Sequence, residues 1–220
     1  MNTYSHALVA VVLEKAASTR FAEKLKALPP MRLGAIVVGS LIPDLMLTLI
    51  AVVTIARDLI TGALADIDPS AFENMSAAEM VDAPWTVKLF QIWFFENPWV
   101  IAAQQVFHSP LMLILFIGLT YWIWKRRGET RDNTRAGWFF WMCCASMLHS
   151  MIDIPLHVHD GPLLLFPLNW NLRYISPVSY WDSNYYGTQW TYFEHALDLV
   201  LIGYLVWAYR QKLFDWMQRG

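Results

Sequence analysis

Residues Leu33–Ala56 read LGAIVVGSLIPDLMLTLIAVVTIA, an unbroken apolar run whose one charge, Asp44, stands directly behind Pro43. As a helix rising about 1.5 Å per residue it is roughly 36 Å long, enough to cross a hydrocarbon core of about 30 Å. A carboxylate in that core is expensive, so where one occurs it normally marks a site. One stretch thus supplies both the fold class and the first functional candidate.

Working outward, Trp99–Trp124 is a second window of spanning length, and Ala196–Trp207 with its flanking aromatics is a third. Gly137–Ile152, bounded by Arg135, is shorter but completes a set of about four spans. Tyr4–Leu13 is apolar but too short to cross, and Glu14 and Lys15 are expected to close it. It lacks the basic start and small-residue cleavage site of a signal peptide, so it is expected to stay in the mature chain. The aromatics Trp85, Phe90, Trp93, Phe94, Phe95 and Trp99 suit a helix lying in the headgroup region. Composition agrees: 56% hydrophobic residues against 15% charged places the chain with membrane proteins. The expectation is an all-α, polytopic membrane helical bundle with a short N-terminal helix and an interfacial helix, forming one domain over 1–220. Asp66 to Asp82 reads as an exposed connection, with helix starts at Asp68-Pro69-Ser70 or Ser76. Adjacent Cys143 and Cys144 point apart on a helix and read as packing residues. No internal repeat, glycine-rich phosphate loop or basic stripe is visible, which argues against nucleotide and nucleic-acid partners.

Orientation follows from the sixteen Lys and Arg residues. Alternating spans leave only Arg57, Lys88 and Arg173 on one side, so the other thirteen are assigned to the cytoplasm. The connections Asp58 to Pro98 and Pro155 to Glu194 then face outward. Measured from the inner anchors Arg32, Lys125, Arg135 and Arg210, the residues Asp44, His108, His149 and His195 lie roughly 18 to 26 Å deep. His6, counted from Arg20, falls at the same level. Ionisable residues scattered along the chain are therefore expected in one layer opening to the outside, which points to the bacterial inner membrane with a periplasm-facing site.

The densest chemistry is Leu148-His149-Ser150-Met151-Ile152-Asp153-Ile154-Pro155-Leu156-His157-Val158-His159-Asp160-Gly161-Pro162. His149 and Asp153, four apart, share a helix face and can chelate one ion. Pro155 should end the span near Ile154. His157, His159 and Asp160 then open the next loop, either as groups above that ion or as a plain solvated turn. Imidazole nitrogen with carboxylate oxygen suits zinc, with manganese or iron as alternatives. Glu194-His195 has two readings, part of the same layer or a polar helix start with Asp198.

Taken together, Ser5-His6, Gly39-Ser40-Leu41-Ile42-Pro43-Asp44, Phe107-His108-Ser109, Leu148-His149-Ser150-Met151-Ile152-Asp153 and Gly161-Pro162-Leu163-Leu164-Leu165-Phe166-Pro167 resemble the inner-membrane-associated metal-dependent hydrolases. These are bacterial proteins distantly similar to zinc-dependent phospholipase C. The resemblance covers most of the chain in order and implies that His6, Asp44, His108, His149 and Asp153 bind metal. Four positions depart from the pattern: Met46 replaces a second Asp, Ala103-Gln104 replaces His-Arg, and Phe107 replaces the Thr of Thr-His-Ser. The departures suit a single ion.

A zinc held by such ligands would lower the pKa of a water toward neutrality for attack on an ester or phosphodiester. His157 and Asp160 are the catalytic candidates, with Asp160 the carboxylate placed to take the proton. Arg173 suits either a substrate phosphate or an interfacial anchor. A site at the membrane boundary favours a lipid or lipid-linked substrate. Two rival classes share these residues: an ion- or proton-handling transporter, and a non-catalytic protein that uses bound metal to lock its helices.

Overall fold

A computed structural model describes residues 1–64, 77–127 and 134–217. The described residues hold helices and no strand: α1 (Thr3–Arg20), α2 (Ala22–Leu25), α3 (Leu33–Ile60), α4 (Ala77–Asp82), α5 (Trp85–Lys88), α6 (Phe94–Glu96), α7 (Pro98–Gln105), α8 (Pro110–Arg127), α9 (Thr134–Asp153) and α10 (Gly187–Met217). Asp66, Glu73, the turn at Asp68-Pro69-Ser70, the helix start at Ser76, Arg131 and Arg219 lie outside the described residues.

The all-helical membrane architecture holds, with two to three candidate spans among the described residues where about four were expected. Two stretches, Leu33–Ile60 and Arg135–Leu156, are long and apolar enough to cross a membrane, and three if α7 and α8 count as one broken span. The window Trp99–Trp124 is interrupted because Pro110 has no N–H and disfavours helix at Ser109. α10 has the length, at 31 residues, but Thr188, Gln189, Thr191, Glu194, His195 and Asp198 make its first turns too polar. α1 continues through Glu14 and Lys15 to Arg20. Charges end an apolar run, yet Glu, Lys and the alanines after them are good helix formers.

The chain divides into two compact units, Met1–Pro43 with Phe107–Gly220, and Asp44–Val106. In the first, α3 and α9 meet through small residues. A Cβ at Gly39 would overlap the Met142 carbonyl oxygen and lie 2.9 Å from Ala145 Cβ, and Ser146 Oγ donates to the Gly39 carbonyl at 2.8 Å. Lipid tails are as apolar as leucine, so association in a membrane rests on such close approach and hydrogen bonding. Ala35, Leu113, Met142 and Cys143 form the core here, which places Cys143 in the packing role expected of it. α1 lies against α10, and the pairs Asn2–Glu194, Tyr4–His195, Ser5–Asp198 and Lys15–Tyr209 ascend together, so the two helices run parallel.

The connection after α9 begins with a 3-10 turn over Ile154–Leu156, the helix end that Pro155 requires. Beyond that turn the connection is anchored by buried residues between exposed stretches such as Leu168 and Ile175. Leu156, Val158, Leu163 and Phe166 are buried. Tyr180 N donates to the Leu156 carbonyl at 3.0 Å, and Ser176 N to that of His157 at 3.4 Å.

In the second unit, buried Asp58 accepts from Thr86 N and Thr86 Oγ1, both at 2.8 Å, and from Trp85 N at 3.2 Å. It thereby satisfies amides that the start of α5 would leave open. α5 continues through a π turn, Leu89–Trp93, into α6. The expected interfacial helix therefore stops at Glu96, and Asn97 caps α7 through the Trp99 amide at 3.0 Å. Trp85, Phe90, Phe95 and Trp99 are exposed while Leu89 and Phe94 are buried, as a helix lying in the headgroups would require.

Candidate metal centre

The last turn of α9 projects His149 and Asp153 from one face, and their closest atoms, Nε2 and Oδ2, are 2.9 Å apart. Asp153 is the hub of the cluster, at 2% exposure. His6, from the first turn of α1, brings Nε2 to 2.9 Å from Asp153 Oδ1, and its ring stacks on that of His149 at 3.6 Å between centroids. His108 lies in the break ahead of α8, where Pro110 frees it from the helix, and reaches Asp153 Oδ2 through Nε2 at 3.2 Å. Beyond α9, His157 Nε2 stands 3.7 Å from Asp153 Oδ1. The Met1 amine is 3.1 Å from the same oxygen.

Tautomer logic decides what this cluster needs. His149 Nδ1 is 2.7 Å from the Ser40 carbonyl, which only accepts, so Nδ1 carries the proton. In a neutral ring Nε2 then presents a lone pair to the carboxylate oxygen 2.9 Å away. Two lone pairs at that distance repel unless a cation lies between them, either a second proton or a metal. His6 Nε2 has the same separation from Asp153 Oδ1 but not the angle of a hydrogen bond. In a tetrahedral shell, metal bonds of about 2.0–2.1 Å put neighbouring ligand atoms about 3.3–3.4 Å apart, a few tenths of an ångström wider than these edges. His6, His149 and Asp153 offer ligand atoms all within 4.8 Å of one another and are buried. This group could hold a metal ion.

The serines beside the histidines hold the backbone. Ser150 Oγ donates to the His108 carbonyl at 2.6 Å, and Ser109 Oγ to that of Phe166 at 3.3 Å. A carbonyl behind a ligating imidazole fixes its tautomer and orientation, and Ser40 does this for His149.

Outside the span, His157 Nδ1 lies 3.1 Å from Asp160 Oδ1, so its imidazole stands between two carboxylates. Burial opposes the charge on His157, but Asp153 and Asp160 outweigh it and push the pKa up to about 9. Burial works against ionisation of Asp160 too, yet His157 and the Trp181 indole, donating at 3.0 Å, hold it below the usual carboxylate range. Arg173 donates to the Gly161 carbonyl, and its guanidinium is lowered by burial despite the attraction of Asp160.

The structure thus brings His6, His108, His149 and His157 around Asp153, where α1 and α8 begin and α9 ends. Asp44 is the first residue of the second unit. His159 is exposed beside Tyr185. His195 is exposed too, with Nδ1 3.3 Å from the Tyr4 hydroxyl, and so does not join the cluster. Buried Glu194 and Asp198 turn toward α1 instead. The Met1 amine and the Ser40 carbonyl escape sequence reasoning. A backbone carbonyl has no side-chain signature, although Ser40 lies within the Gly39–Asp44 motif.

No curated protein and no solved structure matches the chain. The family model described as YdjM inner membrane protein matches residues 1–214, and with that coverage the chain belongs to the YdjM inner membrane protein family.

Proposed function

We propose that this chain is a membrane-bound metal-dependent hydrolase acting on an ester or phosphodiester. The observation that carries the reading is the convergence of His6, His149 and Asp153, with His108 beside them and the His157–Asp160 pair adjoining. The first three residues, with His108 as a further nitrogen, hold a divalent metal, zinc first, with manganese or iron as alternatives. The resemblance also offers Asp44, on its motif alone. Such a metal, when bound, lowers the pKa of water toward neutrality and polarises the oxygen under attack.

His157 is the proton carrier. With both neighbouring carboxylates uncompensated it is protonated at neutral pH, the form that donates to a leaving group. A divalent cation at Asp153 would offset one of the two carboxylates, and the neutral imidazole would then be the form that accepts the proton of water. Asp160 fixes the ring through Nδ1 and balances the charge in either state. The departures at Met46, Ala103 and Gln104 favour one ion. The lysine and arginine distribution supports a site on the periplasmic side of the inner membrane, and hence a lipid or lipid-linked substrate.

The test is the metal content of protein purified in detergent, by elemental mass spectrometry, for wild type, His149→Ala and Asp153→Asn. Stoichiometric zinc, manganese or iron in the wild type and its loss in both variants supports the site; hydrolysis of a chromogenic phosphodiester or a lipid ester then supports the activity. No metal in the wild type after reloading sinks the proposal. A second reading, metal as a helix lock, is favoured by the exposure of His6, His108, His149 and Asp153, none above 2%. It predicts bound metal with no turnover.

A further inference from the structure

Glu194 and Asp198 are acidic residues buried on α10, at 0% and 5% exposure, a helix that contributes no side chain to the His6, His149 and Asp153 group. Each gives one oxygen to the start of α1. Glu194 Oε1 accepts from the Asn2 amide at 2.6 Å, and its Oε2 accepts from the Trp190 indole at 3.1 Å. Asp198 Oδ2 accepts from Ser5 Oγ at 2.9 Å. Its Oδ1 is buried without a hydrogen-bond partner among the described residues, an expensive arrangement. Packing alone would be served better by an apolar side chain, so the gain must lie in what Oδ2 holds.

What it holds is the turn that carries His6. Asn2 and Ser5 bracket the approach to this residue, and they are gripped from one helix while His6 faces a carboxylate on another, α9. The parallel course of α1 and α10 puts residues 194 and 198, one helical turn apart, opposite residues 2 and 5. Asn2 offers its side chain no cap to α1, so the acceptor for its amide comes from Glu194. Two charge-assisted hydrogen bonds to a first turn remove the fraying that the start of a helix otherwise shows.

We propose that Glu194 and Asp198 are positioning residues for His6: they fix the start of α1 on α10 so that the His6 imidazole is presented to Asp153. The idea rests on the metal-site reading for its consequence, but not for its geometry.

Two measurements test it on the full chain in detergent. The first is zinc affinity of wild type, Ser5→Ala, Asp198→Ala and Glu194→Ala, with Asp198→Asn as the conservative variant that keeps an acceptor for Ser5. The alanine variants are expected to bind zinc about 10- to 100-fold more weakly, the usual cost of removing support behind a ligand, and Asp198→Asn to stay near wild type. The second needs no metal: carbethoxylation of the metal-free protein with diethyl pyrocarbonate, mapped by peptide mass spectrometry. His6 is expected to be protected in the wild type and reactive in Glu194→Ala/Asp198→Ala, with His149 protected in both. Unchanged zinc affinity together with a protected His6 overturns the proposal. So does exposure of His149 alongside His6, which would mean that the whole unit had loosened. A wild type that binds no zinc defeats the hydrolase reading, and the His6 modification pattern still decides this one.

Discussion

Gly34 and Gly39 lie on the same helix, α3, and a Cβ at each meets opposite circumstances. At Gly34 it would find nothing within 4 Å; at Gly39 it would overlap the Met142 carbonyl oxygen and lie 2.8 Å from the carbonyl carbon and 2.9 Å from Ala145 Cβ. Carbon atoms in contact prefer about 3.5–4.0 Å, so Gly39→Ala forces α3 and α9 apart by about 1 Å. Overpacking of that kind costs about 1–3 kcal/mol. The same movement stretches the Ser146 Oγ to Gly39 O bond, now 2.8 Å, and the His149 Nδ1 to Ser40 O bond, now 2.7 Å. Polar contacts between membrane helices average about 0.6 kcal/mol each. Against these losses stands the better helix propensity of alanine, about 1 kcal/mol at either position. The net expectation is destabilisation by about 1–3 kcal/mol for Gly39→Ala, and none, or a gain of up to about 1 kcal/mol, for Gly34→Ala. Reversible unfolding of both variants in one detergent, followed by far-UV circular dichroism, measures the difference. Zinc titration should also show weaker binding in Gly39→Ala alone, because the tautomer of His149 loses its support. A Gly39→Ala protein as stable as Gly34→Ala would refute the close α3–α9 approach and, with it, the placement of Ser40 behind His149.

Zinc binding should weaken as pH falls, because imidazole must lose a proton to ligate; calorimetric titration at about pH 5.5 and 7.5 checks this, and an affinity indifferent to pH would count against histidine ligands. Asp58→Ala leaves the Trp85 and Thr86 amides without their acceptor and should destabilise the second unit by about 1–3 kcal/mol. Hydrogen exchange at the Thr86 amide is expected to rise, and unchanged protection there would contradict the cap. Asp160, held below the usual carboxylate range by His157 and Trp181 against the pull of burial, stabilises the fold above its unfolded pKa of about 3.9, a contribution lost as pH falls through its lower folded value. Asp160→Asn should accordingly lower stability near neutral pH and flatten the acid limb of a pH–stability curve, and a superimposable limb would count against the pairing.

The parts of this molecule that can be read from sequence are those in which one local pattern fixes one outcome. Leu33–Ala56 is such a case, since little but a membrane span tolerates so long an apolar run. The pairing of His149 with Asp153 is another, because helical periodicity fixes which residues share a face. The break between α7 and α8 is hidden because hydropathy is indifferent to backbone donors: Pro110 counts as apolar while removing the N–H that a continuous span would need. The end of α1 is misjudged for the converse reason, as Glu14 and Lys15 halt an apolar run and not a helix. Depth counting groups His195 with the cluster because it measures height along the membrane normal and not direction around a helix. On α10 the buried faces are those of Glu194 and Asp198, which leaves His195 exposed. The parallel contact of α1 with α10 joins residues nearly two hundred positions apart, and no local pattern encodes it.

The choice between a hydrolase and a metal lock turns on residues that a lock does not require. Three residues, His6, His149 and Asp153, already supply ligand atoms within 4.8 Å of one another, and His108 adds a contact to Asp153. His157 and Asp160 add a second carboxylate and a fourth imidazole beside them, and buried charge is costly unless it is put to use. They also differ in exposure: the His157 side chain is 12% exposed and that of Asp160 25%, against 2% for Asp153. This pair is the most exposed edge of the cluster. A metal lock gains nothing from a group there that can exchange protons. Hydrolysis needs one, because water must lose a proton as it attacks and the leaving group must gain one. The position of His157, between the buried carboxylate and the accessible one, is where such a group would have to stand.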